Sequence, residues 1–408
     1  MNLNKVFRRI FYVLILISFW AFSIACHVQN DETGSGTDTS STSSSEVSGS
    51  QETHKSFAVE KGQKLSIDLK SGGSISITGW EKNEVNVDAV FGGRDRDDIM
   101  LEIEKNSSGV EINSKYKHHH DNENSKAQFD IKVPVKFDVE INTMGGALAI
   151  DGVDGKISGQ TMGGGLTLSK LKGYLDLSTM GGNISLIGSD VDGNVHTMGG
   201  NVDFENVTGD VKGSSMGGKV TMKNVTRKNG ESKGDEVDIS SMGGAIDVDD
   251  ASNGANVSTM GGEISVHSAK KFVKAKTMGG NIEIDEVDGS VNAATMGGNI
   301  NVKEICKPDD SDRNIDLQSS GGDITLLVPD GFSMDIDITL TITKNRDRDN
   351  RDYKIISDFD INRTQTDNWD YSKGSPRKYI HGKASIKGGK NKVKIETING
   401  DVYLKKLD

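Results

Sequence analysis

Cysteine is almost missing from this 408-residue chain: Cys26 and Cys306 are the only two, so no intrachain disulfide framework can hold the fold. Aromatics are scarce at 5% of residues, and between residues 143 and 326 only Tyr174, Phe204 and Phe272 occur. No P-loop, dinucleotide fingerprint or nucleophile motif is present, and helical patterning is absent. Positive charge is in deficit, with a formal net charge of −12, which argues against a nucleic-acid partner. The one long apolar run is Ile10 to Ala25, behind Lys5, Arg8 and Arg9. It is too short for a comfortable spanning helix and reads as a signal peptide over 1–25, with the general export route favoured over the twin-arginine one.

What is abundant is glycine, and it is periodic. Met-Gly-Gly occurs nine times, at Met144, Met162, Met180, Met198, Met216, Met242, Met260, Met278 and Met296. Seven of the eight gaps are 18 residues, and the remaining gap of 26 is 18 plus an insertion of 8. A fixed short period means one structural unit stacked on itself. Counting from Met162 as zero, apolar residues fall at offsets 4, 6, 9, 13 and 15: Leu166, Leu168, Leu171, Leu175 and Leu177. The pairs at 4 and 6 and at 13 and 15 have the two-residue period of a strand, and across the repeats Val and Ile dominate them. Glycines at offsets 2 and 11 fall at corners, where the chain needs φ > 0 or close backbone contact. The expected fold is all-β, a parallel β-solenoid of 18-residue coils, right-handed by the general rule for parallel crossovers. Ten coils over 143–326 would give a rod on the order of 50 Å long.

The period continues in degenerate form. Ser320-Gly321-Gly322 leads into Ile324 and Leu326, and the C-terminal Val393, Ile395, Ile398, Gly400, Val402 and Leu404 fit the same template. Ser71-Gly72-Gly73 with Ile75 and Ile77 resembles an early copy. These Gly-rich coils, the lead-in Ile131-Lys132-Val133-Pro134 and the closing Thr397-Ile398-Asn399-Gly400-Asp401-Val402 resemble the bacterial putative-adhesin family of β-solenoid proteins, related to head-GIN adhesin domains. The resemblance covers roughly residues 56–408. It implies an envelope or surface protein without an established enzymatic activity, and it supplies no catalytic residues.

Ser23-Ile24-Ala25-Cys26 resembles a lipobox, with Ser23 where Leu is usual. Cys26 is therefore the expected lipidation site, against the alternative of an ordinary signal peptide or an uncleaved anchor with an inert cysteine. Cleavage there takes the net charge from −12 to −15. Residues 26–55, rich in Ser, Thr, Gly and acidic side chains, read as a flexible tether. Residues 56–142 read as an N-terminal β cap, 143–328 as regular coils, and 329–408 as a C-terminal excursion with a closing coil. The expected location is the cell envelope, lipid-anchored at the outer membrane or cell surface if the cell has two membranes.

Several sites are possible on chemical grounds. Stacked thioethers suit soft metals such as copper(I), or an oxidation sink. Offset 0 corresponds, however, to offset 9 in the sister half, where Leu171, Val207 and Val287 are apolar, so the methionines are expected to point inward and fill a corner gap. No Asp recurs at one offset, which excludes a calcium β-roll; Asp247, Asp249 and Asp250 offer at most weak ion contact. His118-His119-His120 reads as a solvated loop and Cys306 as a partly buried free thiol. No metal and no cofactor is expected.

The breaks in the repeat carry more information. Insertions near Thr226–Lys233 and Lys307–Asp312, and the excursion from Pro329 to Val393, all leave at offset 9, so one edge should carry them all. The excursion gathers Tyr353, Trp369 and Tyr371 with Arg346, Arg348 and Arg351, a combination suited to sugar stacking or anionic glycans. Packing of the C-terminal cap explains the same aromatics without a ligand. The leading expectation is a non-enzymatic, lipid-anchored adhesin or envelope-binding module, its partner a glycan or an envelope or host surface protein. A scaffold or sensor with a membrane-protein partner is the alternative, and a polysaccharide-cleaving enzyme ranks behind both.

Overall fold

The chain was analysed as a computed structural model that describes residues 51–93, 98–117, 125–226, 237–305, 313–344, 352–372 and 374–407. All of them fall in one unit, Ser48–Asp408. Cys26, Cys306, His118–His120, Arg346, Arg348 and Arg351 lie outside the described residues, as do the leader and most of the tether. The first strand, Gln51–Ala58, starts five residues inside the segment expected to be tether.

The described residues form a single all-β body in which 31 strands join one sheet, and no α-helix occurs among them. Pairing is mostly parallel and steps through the repeat. Leu148 pairs with Leu166, Leu166 with Ile184, Ile184 with Val202 and Val202 with Val220. On the second ladder Val139 pairs with Ile157, Ile157 with Leu175, Leu175 with Gly193 and Gly193 with Val211. Each repeat thus gives a short strand such as Leu166–Ser169 and a longer one such as Lys172–Thr179, in a solenoid-like stack. One apolar face per strand cannot be buried alone. Stacked, the offsets 4, 6, 9, 13 and 15 line up as columns mainly of Val, Ile and Leu, with Gly193, Gly213, Ala255 and Ala293 among the smaller members, and most of them have little or no exposure. Each Val, Ile or Leu side chain contributes about 1.5–3 kcal/mol on burial.

Both ends depart from the pattern in the same way. Lys64–Leu69 and Ser74–Trp80 sit directly on the first coil, with Leu69 opposite Thr143 and Ile75 opposite Leu148, so Ser71-Gly72-Gly73 lies over the first Met-Gly-Gly corner with one residue more and both glycines at φ > 0. Beyond them lie Gly109–Tyr116 and Ser125–Pro134, then antiparallel Ile99–Asn106 on one ladder and antiparallel Glu84–Gly93 and Gln51–Ala58 on the other. At the C-terminus the closing coil also precedes the excursion in space: Ile315 pairs with Val393 and Ile324 with Val402. Met334–Thr343, emerging from the excursion, then covers Asn391–Ile398 and carries antiparallel Arg377–Ile386 and Asn362–Gln365. Three of the four ladder ends thereby finish in antiparallel strands, and the fourth in three-residue Ile355–Ser357 lying parallel on Val402–Leu407, which blunts strand addition from other chains.

The second glycine of each Met-Gly-Gly decides how closely the stack closes. A Cβ on Gly182 would stand 2.2 Å from the Gly164 carbonyl oxygen, and one on Gly200 would stand 2.1 Å from that of Gly182. The same contact recurs from Gly146 on Gly73 to Gly400 on Gly322. At most of these glycines, Gly182 and Gly200 among them, close approach rather than positive φ is what excludes a side chain. The first glycine of the pair has room: a Cβ on Gly181 meets nothing nearer than the Gly163 oxygen at 3.6 Å. Gly182→Ala is therefore expected to cost about 3 kcal/mol or more, and Gly181→Ala to stay within about 0.5 kcal/mol of the parent. Chemical unfolding of the two variants side by side checks this, and equal losses would refute the assignment of the close contact.

Candidate functional site

Two corners join the strands of each repeat, and they are built on different chemistry. At the corner that carries Met-Gly-Gly, the residue before methionine is always Thr or Ser, and it is buried in every copy. Its hydroxyl works in both directions. Thr179 Oγ1 donates to the Gly164 carbonyl at 2.8 Å and accepts from the Gly182 N–H at 3.3 Å. Thr197, Thr259, Thr277 and Thr295 repeat the pair of bonds, and Ser215 and Ser319 do so with the smaller side chain. A column of buried hydroxyls thus satisfies backbone groups that the tight corner would otherwise orphan.

The methionines face the other way, which corrects the expectation that they fill the core. All nine are exposed, from 38% at Met216 to 60% at Met296. The two halves of the repeat are not equivalent at this point. Along Lys172–Thr179 the inward residues are Leu175, Leu177 and Thr179, so strict alternation places Met180 outside. At the opposite corner of the first five repeats the phase is reset by a residue with φ > 0 at offset 8: Gly152, Lys170, Gly188, Asn206 and Asn224. That reset puts Val153, Leu171 and Val207 inside at offset 9. Position 9 is therefore core and position 0 is surface.

The insertions leave at this second corner, as expected from their common offset. The chain exits after Thr226, after Ile305 and after Pro329, in each case at the end of the ladder that contains Leu166–Ser169, and returns on the ladder that contains Lys172–Thr179 at Val237, Ile315 and Val393. Met-Gly-Gly and the points where the chain leaves and rejoins the ladders consequently lie at opposite corners of the repeat.

Of the aromatic candidates in the excursion, the structure separates two groups. Phe359 is buried, and Tyr353 is half-buried against the core beside Ile355–Ser357, so both serve to pack the cap. Tyr379 stacks on His381 with ring centres 6.0 Å apart. Trp369 and Tyr371 flank Asp370, whose backbone exchanges hydrogen bonds of 2.7 and 2.9 Å with Arg377 and so fixes the loop. The Trp369 ring has two ammonium groups near its face, Lys378 at 5.2 Å and Lys344 at 5.9 Å, and Tyr371 is 64% exposed. Among the described residues the cations beside Trp369 are these lysines, which the sequence did not single out.

One buried ionic cluster stands beside the second insertion. Arg313 and Glu304 are almost fully enclosed, and Arg313 binds Asp288 Oδ1 through Nη2 at 2.8 Å and Nε at 3.1 Å. Glu304 occupies a core register opposite Val287, and its Oε1 stays 3.6 Å from Arg313 Nε, beyond hydrogen-bond distance. Asp288 has already taken the guanidinium, so burial dominates over the pull of Arg313 and pushes the Glu304 carboxyl up to about 8 from 4.5. On the exposed short-strand face His267 lies between Asp285 at 2.6 Å and Asp247 at 3.2 Å; chiefly the Asp285 hydrogen bond raises its pKa. No group of three or more His, Cys, Asp or Glu suited to a metal ion occurs among the described residues, the Asp247 cluster included.

Glu304 gives the cluster a pH signature. The folded chain holds a proton that the unfolded chain releases above about pH 4.5, so its contribution to stability is complete below that pH and is lost as pH rises toward about 8. Glu304→Gln keeps the shape of the protonated acid. It should leave stability unchanged at pH 4 and raise it by on the order of 3 kcal/mol at pH 8. Denaturant titrations of both proteins at the two pH values test this; a variant less stable than the parent at pH 8 would mean the ionised carboxylate is needed.

No protein-family model matches the chain, and no curated protein does. Among solved structures it is similar to a putative cell adhesion protein from Clostridium sporogenes, at 9% identity and a TM-score of 0.17, covering 88% of this chain and 100% of that one. It is also similar to a putative adhesin from Bacteroides fragilis, at 14% identity and a TM-score of 0.29, over 62% of this chain and 97% of that one. A putative lipid binding protein from Parabacteroides distasonis aligns at 10% identity and a TM-score of 0.22, over 88% of this chain and 97% of that one. Likenesses this remote leave the ligand of the present chain to its own residues.

Proposed function

We propose that this protein is a non-enzymatic cell-envelope module, anchored by lipid at Cys26, that adheres to a surface ligand through its C-terminal excursion. In this reading the stack is a right-handed solenoid of 18-residue coils that holds the excursion away from the membrane on the tether before residue 51. One observation carries the assignment: Trp369 sits with Lys344 and Lys378 at its ring, next to the exposed Tyr371, on a loop pinned by the Asp370–Arg377 backbone pair. A flat ring flanked by cations matches an anionic sugar, whose apolar face stacks while its acid group meets the ammonium. The cap aromatics Phe359 and Tyr353 fix the base of the excursion and take no part in contact.

The test is binding of the soluble protein to acidic and neutral glycans, isolated cell walls and matrix proteins. Saturable binding with a preference for acidic sugars is expected, weakening with salt. Trp369→Ala with Tyr371→Ala should lower affinity by about tenfold or more, equal to about 1.4 kcal/mol. Unchanged affinity in that double variant sinks the site. One stoichiometric membrane-protein partner without glycan affinity would instead make the chain a scaffold or sensor, and turnover of a polysaccharide would make it an enzyme.

A further inference from the structure

We propose that the nine corner methionines form a binding array for a soft monovalent cation, copper(I) or silver(I), with each ion bridged by thioethers of adjacent coils. Outward orientation removes the argument that these sulfurs are sealed in the core. The backbone beneath them is in register: the N–H of Met162, Met180, Met198 and Met216 each donates to the carbonyl of the Thr preceding the previous corner methionine, at 3.1–3.2 Å. Successive corners are therefore about 4.8 Å apart, the spacing of neighbouring strands. Two sulfurs at about 2.3 Å on either side of one ion, the length of a zinc–sulfur bond, are about 4.6 Å apart. One step of the stack thus matches a two-coordinate bridge, and the unbranched side chain supplies the torsions to close it.

The fold itself does not ask for sulfur here. Ser320 takes the same corner position, with its N–H on the Thr295 carbonyl at 3.2 Å, and at the other end Lys70 follows Leu69, the residue opposite Thr143, with its N–H on the Ser114 carbonyl at 2.9 Å. Corner geometry is held instead by the Thr or Ser hydroxyl and the second glycine, so the thioether has no structural bond to give up. The first glycine leaves a lane beside the sulfurs: a Cβ at Gly145 would meet nothing within 4 Å, and at Gly163 only a glycine Cα at 3.8 Å. Neutral, polarisable thioethers select copper(I) and its heavier congener over zinc, calcium or magnesium. The positive charge also lands on a chain of net charge −12. Met222 and Met334, at 2% and 0% exposure, stay outside the array.

Adjacency, rather than the number of sulfurs, is the testable content. In a full-length background with Cys26→Ser, Cys306→Ser and His118–His120 changed to Ala, two variants each replace five methionines by Leu. The first replaces Met144, Met180, Met216, Met260 and Met296 and leaves four methionines, none in neighbouring coils. The second replaces Met216, Met242, Met260, Met278 and Met296 and leaves four in consecutive coils. Leu keeps the apolar cover, and matched circular dichroism and unfolding curves establish that both fold. Silver(I) titration in chloride-free buffer is read by calorimetry and native mass spectrometry. The background protein and the consecutive variant should each bind two or more ions, and the alternating variant should bind about tenfold more weakly or not at all. Equal affinity in the two variants, or no binding by the background protein below millimolar silver, overturns the proposal.

Discussion

Close backbone approach at the methionine corner is the constraint on which the stack depends. Glycine sits on glycine from Gly73 through Gly146 and on to Gly322 and Gly400, each leaving no room for a Cβ above the carbonyl of its neighbour. Such an approach buries peptide groups, and buried peptide groups need partners. From Gly182 to Gly322 the Thr or Ser three residues before the glycine supplies them, with one hydroxyl serving a carbonyl of the neighbouring corner and an N–H of its own. Removing the glycine would force the coils apart, and removing the hydroxyl would orphan two backbone groups at about 1–3 kcal/mol apiece. Apolar columns supply most of the stabilisation, but their register follows from this corner, which sets the spacing at which Ile184 meets Val202 and Leu166.

Much of this was legible in the chain. Period, strand positions, the degenerate copies at Ser71 and Ser320, and the closing coil at Val393 all follow from counting apolar residues, because a column must be apolar in every coil to be buried. Orientation of the methionines was also legible, but through a different count. Continuing the alternation of Leu175 and Leu177 by one step gives Thr179 inside and Met180 outside, and a small hydroxyl residue stands at that inward position in every copy. Equating the two halves of the repeat hid it, since in the first five repeats offset 9 follows a φ > 0 residue that shifts the phase and offset 0 does not. Apolar character is a poor guide to burial at a corner, where local backbone conformation decides which way a side chain points.

The candidate site in the excursion was legible in kind and not in detail. Aromatics and cations in one insertion suggested contact chemistry, yet no spacing rule separates Phe359, which is core, from Tyr371, which is surface. That division depends on antiparallel pairing of Met334–Thr343 with Arg377–Ile386, a long-range register that brings Lys344 and Lys378 to one ring from 34 residues apart in the chain. Glu304 and Arg313 show the same limit. Across an insertion, their proximity is a product of the stack, and the perturbed carboxyl has no local signature.

Two opposite edges with unlike demands explain why the repeat is uniform on one side and interrupted on the other. At the insertion corner the first five repeats reset the phase with a left-handed residue, and a longer loop can take its place provided it returns the chain to the next ladder in register. Closure of a longer loop costs only about 0.6 kcal/mol per doubling of its length, so this corner tolerates 6, 8 or some 60 extra residues. At the Met-Gly-Gly corner the chain runs on without a reset, and an added residue would invert every side chain of the following strand unless glycines absorb it, as Gly72 and Gly73 do with φ > 0 where six steps from Leu69 to Ile75 stand opposite five from Thr143 to Leu148. Insertions are therefore confined to one edge by the backbone. Variation on the other edge is confined to the exposed residue itself, and there nine of the regular copies carry the same side chain. A surface position whose neighbours accept Ser, and whose backbone would accept other residues, holds a thioether nine times over; packing alone does not require that choice.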